Sequence, residues 1–492
     1  MHLGHSPFGD LDRLAGRSTI EILGEMLLEF SNADVHVTTI APACVHINHL
    51  SLHRRANFAS VRVVLDFVMK PNPFDVDVVI IGAGFAGLTV ATELQREGIS
   101  VVVLEARDRV GGKVESSVDE RGRLVDTGAQ FVNDEMTEVL TLAAQIGAAR
   151  ANTVHPGRAT TVPPQAEGDP WAEAEALLTT LGADHRDDGR TVTEWIVGLA
   201  VDGIPVSNAV RDAVRSAVNG STCHDSDVIP VSYLAQLNEH TPADVEELQS
   251  WFPETFHSLA VHLASALADV LRLECPVRAI HLHDASVDVV ALDQVWHARE
   301  VVVAAPPSAY PALGFTPPLP DDIAAATESF SPGTVIKYLL RFERPFWLDD
   351  GRNGVGQFLG PAGLYFADAS LADTATLVGF VGGTTAVEWT RHSQSQRREA
   401  ILHHASVVFG AEALRPISVV ERLWAPDEWG AGGYRNVQTT HAPLAVDALA
   451  VGLPLVTFAS TELANHFPGY VEGAIIAGRA AAAQVLVRLS HV

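Results

Sequence analysis

The stretch that most constrains this chain is Asp75–Gly112, DVDVVIIGAGFAGLTVATELQREGISVVVLEARDRVGG. Its apolar run Val76–Ile81 is continuous rather than alternating, which predicts a strand buried on both faces, as in parallel sheets. Gly82, Gly84 and Gly87 follow at GxGxxG spacing, with Phe85 and Ala86 inside the motif. The first glycine permits the tight turn, the second lets a pyrophosphate approach the backbone, and the third lets the next helix pack close to the strand. That helix, from Gly87 to about Gln95, would point its free N–H groups and positive dipole end at the phosphates. A second strand, Ile99–Leu104, ends in Glu105, about 20 residues beyond the glycines, where a carboxylate accepts hydrogen bonds from ribose hydroxyls. A lone GxGxxG is a weak signal, because glycine turns are common. Strand, glycines, helix, strand and acid in this order predict a dinucleotide site. Glu105 argues against NADP, whose extra phosphate it would repel. The glycines alone do not separate NAD from FAD.

The residues after Glu105 bear on that choice. Ala106–Lys113, ARDRVGGK, resembles the second signature of the flavin amine oxidase superfamily, in which the acid leads into an arginine-rich turn and a glycine pair. The resemblance implies FAD, held along Glu105, Ala106, Arg107, Gly111, Gly112 and Lys113. That family usually has arginine where Lys113 stands; the cation is kept, but a bidentate fork becomes a point charge.

Further segments carry the same resemblance to the end of the chain. Leu124–Val132, LVDTGAQFV, is similar to the segment that runs along the isoalloxazine, which nominates Gly128, Ala129 and Gln130. In 276–307 the matching valine against the adenine is Val277, and VVVAAPP resembles the family's return strand and turn. Gly333–Trp347, GTVIKYLLRFERPFW, begins as a strand with alternating faces and places Lys337 where monoamine and polyamine oxidases keep a lysine that holds a water near flavin N5. An ammonium there stabilises negative charge developing as electrons pass to oxygen. In Trp424–Arg435, WAPDEWGAGGYR, the family's aromatic residue is kept as Tyr434, but Gly433 takes the place of the cysteine that tethers the flavin in monoamine oxidases. A thioether cannot form at that position, so the resemblance implies non-covalent FAD. Phe458–Leu486 resembles the closing signature: Ser460 replaces the usual glycine, Thr461 and Glu462 fall at the ribityl–pyrophosphate region, and Gly473 and Ala474 open a helix aimed at flavin N1/O2. Tyr470, just before it, pairs with Tyr434 as the two aromatic walls flanking the amine.

Composition sets bounds. A chain of 492 residues exceeds one ordinary domain, and 47% hydrophobic with 19% charged residues supplies an ample core. The net charge of −27 disfavours nucleic acid and favours encounter with cationic ligands. Lysine is rare, with Lys70, Lys113 and Lys337 the three in the chain. The cysteines Cys44, Cys223 and Cys275 form no CxxC, which suggests neither a disulfide framework nor a metal site and fits a reducing, cytoplasmic setting. No run of 18 or more apolar residues is present, no secretory leader is visible, and the membrane-anchoring tail of mitochondrial monoamine oxidases has no counterpart, so no membrane association is expected.

Residues 1–74 match nothing recognised: a helix Ser18–Phe30 and a strand Ala59–Val68 are expected there. His46, His49 and His53 could share one helical face, but no acidic or sulfur partner accompanies them, which argues against a metal. Met69 is a candidate natural start. Helical periodicity then dominates 136–270 (Met136–Ile146, Trp171–Leu181, Val192–Leu199, Val206–Val218, Pro253–Leu271), broken near 155–170, with His185, Asp187 and Asp188 read as a solvated loop. The expected fold class is α/β: a split Rossmann-like FAD-binding domain (75–135, 272–310, 429–492) interleaved with an α+β substrate-binding domain (136–271 helical, 311–428 sheet), monoamine oxidase-like, after an N-terminal extension 1–74.

The resemblance implies an enzyme that oxidises a small-molecule amine to an imine with O2 reduced to H2O2, with a homodimer as one expected assembly. An L-amino-acid oxidase of the same fold is the alternative and needs an arginine on the substrate carboxylate, for which Arg158, Arg341 and Arg391 are available. Polyamine oxidation would want entrance carboxylates, with Asp134 and Glu135 as candidates. A carotenoid-desaturase-like enzyme shares the first motif, but Lys337 and the pair Tyr434 and Tyr470 argue against it. A flavin-binding scaffold without turnover is kept open by Ser460 and Lys113.

Overall fold

The computed structural model describes residues 74–492 apart from 154–156, 202, 243–245, 247, 372, 431 and 491–492. Ahead of them it describes only an antiparallel ladder of Ile40–Ala41 with Cys44–Val45. The chain divides into two units, Met1–Pro73 and Phe74–Val492. The helix Ser18–Phe30, the strand Ala59–Val68, the three histidines and Met69 lie outside the described residues.

The elements that position the site are, in chain order, β1 (Val76–Ile81), α1 (Phe85–Arg96), β2 (Val101–Leu104), β3 (Leu124–Asp126), α2 (His257–Ser265), β4 (Gln294–Val303), β5 (Val335–Phe342), β6 (Ala375–Gly382), β7 (Ser418–Leu423) and α3 (Val471–Ser490). β1 lies between β2 and β4, parallel to both, in an eight-stranded sheet that also takes in Leu271–Arg272, Val277–Leu282, Val287–Ala291, Phe315–Thr316 and Val456–Phe458. The continuous apolar run of β1 is explained by its two covered faces. Val78 and Ile80 pack with Leu88 and Leu94 of α1, whereas Val79 and Ile81 pack with Val289 and Tyr310 on the other side.

α3 crosses α1 closely. A Cβ on Gly478 would stand 2.6 Å from the Ala86 carbonyl oxygen, so a side chain there would push the helices apart. By length and composition α3 would suffice to cross a bilayer, but Ile475, Ala477, Ala481, Ala482 and Val485 are buried against the rest of the protein.

The second sheet has six strands in the order β7, β5, β6, Leu364–Asp368, Arg352–Phe358, Arg158–Val162. Here two expectations change. β5 does not alternate: every residue but Arg341 is buried, because Ile336, Tyr338 and Leu340 pack beneath Ile401, Ala405 and Val408 of the helix Gln394–Phe409, while the opposite face meets β3. The break near 155–170 contains a strand, Arg158–Val162, that joins this sheet parallel to Arg352–Phe358. Helical boundaries also tighten. The expected helix Pro253–Leu271 is α2 alone, since Leu271–Arg272 pairs with Val103–Leu104 of β2. A helix not anticipated from periodicity occupies Val231–His240.

Candidate active site

The glycine turn is built as a cradle. Gly82 ends β1 at φ +102°, a conformation open to glycine, and a Cβ there would meet the Ala304 carbonyl oxygen at 2.8 Å. A Cβ on Gly87 would run into the Gly82 carbonyl oxygen. Gly84 precedes α1, and no side chain caps the helix start, so the first N–H groups are left for an anion. Gly112 backs onto Gly84, where a Cβ would sit 3.4 Å from its Cα. Phe85 and Ala86 are buried in the first turn of α1. Gly111 donates its N–H to the Ala83 carbonyl at 2.9 Å.

Glu105 closes this turn. Its carboxylate accepts from Ala83 N at 2.7 Å and from Arg107 N at 2.9 Å. Each oxygen keeps a lone pair for a further donor. Glu274 N and Cys275 N donate to the carbonyls of Arg107 and Glu105, both at 2.8 Å, which carries the chain alongside Ala106 towards the buried Val277.

A charged network ties this turn to the loop that carries Tyr434. Asp427 pairs with Arg107 and accepts from Arg422 at 2.7 Å, Gly430 N at 2.8 Å and Trp429 N at 3.2 Å. Arg422 also donates to Glu115 at 2.7 Å, and so does Arg109 at 2.7 Å. Burial alone would raise both acids, but the hydrogen bonds from arginine outweigh it and hold Glu115 and Asp427 below the usual carboxylate range. Lys113 donates to the Gly433 carbonyl at 2.9 Å, and burial lowers its pKa. Removing Asp427 strips two arginines of a nearly buried partner. Asp427→Ala is expected to cost about 3–5 kcal/mol of unfolding free energy, read from a denaturant melt.

Lys337 is the third residue of β5 and is 3% exposed. Its Nζ donates to Asp126 O at 2.7 Å, Gly128 O at 2.8 Å and Gln130 Oε1 at 2.8 Å. The segment 127–129 is held to 113–115: Thr127 N and Gly128 N donate to Glu115 O, and Ala129 N to Lys113 O. Gly128 is required there, because a Cβ would lie 2.7 Å from Glu115 N. Burial lowers the Lys337 pKa against the opposing charge of Asp126, and burial raises the Asp126 carboxyl.

The register of β5 with β6 sets Phe380 opposite Lys337, with Nζ 5.9 Å from its ring centroid. Phe380 in turn meets Tyr434 at 6.0 Å, edge to face, and Phe131 at 6.3 Å. Tyr434 is 38% exposed. Tyr470 lies beneath the guanidinium of Arg435, the residue after Tyr434, at 5.2 Å. Gly433 has its vacant Cβ position filled from another segment: a Cβ would stand 2.6 Å from both Cβ and Sγ of Cys223.

The closing motif assembles around Thr461. Its hydroxyl donates to Tyr470 O at 2.6 Å and accepts from Gly469 N at 3.0 Å. Ser460 and Glu462 are buried beside it, and Glu462 accepts from Asn436 N at 2.8 Å. Gly473 and Ala474 lie in the first turn of α3, which starts two residues earlier than expected, at Val471.

The structure links Lys337 to Tyr434 through Phe380, whereas Tyr470 lies against Arg435 and Phe467. Sequence reasoning did not single out Phe380, Phe131 or the Asp427 clamp, nor Cys223 as the neighbour of Gly433, because their partners are distant in the chain. Of the arginines named for a carboxylate, Arg341 pairs with Asp119, and Arg158 and Arg391 are exposed. Asp134 is at the surface, bonded to Arg150 at 2.8 Å, and Glu135 is exposed beside it.

The residues fit a flavin. The glycine cradle and uncapped helix suit a phosphate, and Glu462 Oε2 and Asn436 Nδ2 are buried without a hydrogen-bond partner among the described residues. The family profile for flavin containing amine oxidoreductases matches residues 85–165 and 221–486, and the chain belongs to that family. It is an oxidoreductase of monoamine oxidase-like fold. Similar proteins include an L-amino acid dehydrogenase from Synechocystis sp., 26% identical over 83% of this chain and 94% of that one. A putrescine oxidase from Kocuria rosea is 29% identical over 83% and 95%. The solved cyclohexylamine oxidase from Brevibacterium oxydans superposes with a TM-score of 0.75 at 26% identity, covering 85% of this chain and 100% of that one.

Proposed function

We propose that this chain is an FAD-dependent amine oxidase that holds its flavin without a covalent bond. Its substrate is a primary or secondary amine, its product an imine that water converts to an aldehyde plus ammonia or a smaller amine, and its electron acceptor is O2, reduced to H2O2. The observation that carries the reading is Lys337: a fully enclosed lysine bonded to the segment 126–130 and flanked by Phe380, itself against Tyr434.

Bound FAD supplies the acceptor for the hydride leaving the carbon beside the amine nitrogen. The protein's residues do the rest. The first N–H groups of α1 and the Gly84–Gly112 cradle take the pyrophosphate, and Glu105 takes the adenosine ribose. Phe380 and Tyr434 form an apolar wall that excludes water from the amine. Lys337 places positive charge where electrons pass to oxygen. Gly433, with Cys223 packed into its side-chain space, offers no sulfur on that backbone position for a tether.

The relatives act on different nitrogen compounds by their names, and an L-amino acid dehydrogenase is among them. The amine reading is favoured here because the three arginines proposed for a carboxylate grip are exposed or paired with Asp119. Peroxide release should be measured against monoamines, polyamines and L-amino acids, with acid precipitation of the same preparation. The expected result is peroxide from an amine and free FAD in the supernatant. Peroxide from amino acids alone, or flavin retained in the pellet, contradicts the respective part of the reading.

A further inference from the structure

We propose that Asp126 is a positioning residue that keeps Lys337 in its ammonium form. The hydrogen bonds on both sides carry this. Three acceptors converge on Nζ within 2.8 Å: Asp126 O, Gly128 O and Gln130 Oε1. An ammonium has three N–H donors and no acceptor, which matches that socket. A neutral amine has two N–H groups and a lone pair, and would leave one of the carbonyl groups facing that lone pair. Gln130 is the one acceptor able to turn away, because the other two are backbone.

The carboxylate of Asp126 is met by donors. Both its oxygens face Phe256 N, at 3.0 and 2.8 Å, and the backbone N–H of His257 adds to them. These groups begin α2, so the carboxylate sits at a helix N-terminus, where negative charge is favoured. A protonated carboxyl would need an acceptor for its own proton. The competing arrangement, neutral acid beside neutral amine, has the same net charge and is favoured by burial, which raises the acid and lowers the amine. The donor and acceptor pattern decides for the charged pair.

The other charged groups around Lys337 are committed elsewhere. Arg422, its register partner on β7, is taken by Glu115 and Asp427, and Arg109 by Glu115. Arg341, on the same face of β5, pairs with Asp119. His257 lies between Ser116 Oγ and Val110 O, and burial holds its pKa down. From β6 the uncharged ring of Phe380 faces Nζ. Asp126 is therefore the anion that matches the charge of Lys337.

The functional consequence rests on the reading of Lys337 as a flavin-facing group, but the protonation state does not, and the two fail separately. The chain has three lysines, so lysine labelled with 13C at the ε carbon gives few signals, and Lys337→Met assigns the one in question. In the full-length, flavin-loaded protein, the Lys337 signal is expected at its ammonium position throughout the neutral range. In Asp126→Asn its titration midpoint should fall by about 1–3 pH units, while that of Lys113 stays in place. Gln130→Leu, which removes one acceptor and leaves the carboxylate, should move the midpoint in the same direction by less, and it serves if Asp126→Asn does not fold. A neutral-amine signal at neutral pH in the unmodified protein overturns the proposal, as does an unmoved midpoint in the variants that fold. Unchanged peroxide release in Lys337→Met would overturn only the flavin-facing reading.

Discussion

Replacing Lys337 by methionine is expected to slow the oxygen-dependent step by about 10²–10³-fold, the effect of removing one preorganised charge-stabilising donor. The amine-dependent step should change far less, because Phe380 and Tyr434 remain in place. Methionine fills similar space without a charge, so the comparison isolates the ammonium. Three acceptors would lose their donor, at about 1–3 kcal/mol for each that finds no water, so a lower melting temperature accompanies the kinetic change. Stopped-flow absorbance with separate anaerobic and aerobic mixing distinguishes the two steps. Equal slowing of both would indicate that Lys337 shapes the pocket rather than serving oxygen.

Gly87→Val is expected to abolish flavin retention and most soluble yield. A Cβ at position 87 collides with the Gly82 carbonyl oxygen and approaches the Ala304 Cβ at 3.2 Å. Neither neighbour can swing aside: one is backbone in the turn, and the other sits at the end of β4. Overpacking of a rigid core costs about 1–3 kcal/mol or more, and here the displaced element is the helix start proposed to face the phosphates. Gly182→Ala is the matching control, because nothing lies within 4 Å of a Cβ there, and it should leave flavin content unchanged and unfolding free energy within about 0.5 kcal/mol of the parent. Flavin absorbance per protein and a thermal melt read both variants.

The sequence disclosed what is local. The run Val76–Ile81, the three glycines, Glu105 and the glycine pair lie within 40 residues, and the turn they build depends on backbone conformation and small side chains. Lys337 was legible through its motif and the scarcity of lysine, although its burial was not. What could not be read depends on pairing between distant segments. Phe380 reaches Lys337 only through the register of β5 with β6, Asp427 reaches Arg107 across most of the chain, and Cys223 enters the space beside Gly433 from the end of a helix. The expected alternation in Gly333–Trp347 failed for a related reason: a sheet covered on both faces shows no polar side. The strand Arg158–Val162 was hidden because its Thr and Arg content at a sheet edge resembles that of a loop.

The central claim is that this flavin site oxidises amines. Its most direct test is anaerobic mixing of purified protein with individual amines while flavin absorbance is followed, then admission of oxygen with peroxide detection. The account predicts bleaching by an amine, recovery of the yellow form on oxygen, and peroxide in proportion. Bound flavin that no amine bleaches, or bleaching by L-amino acids alone, would contradict it.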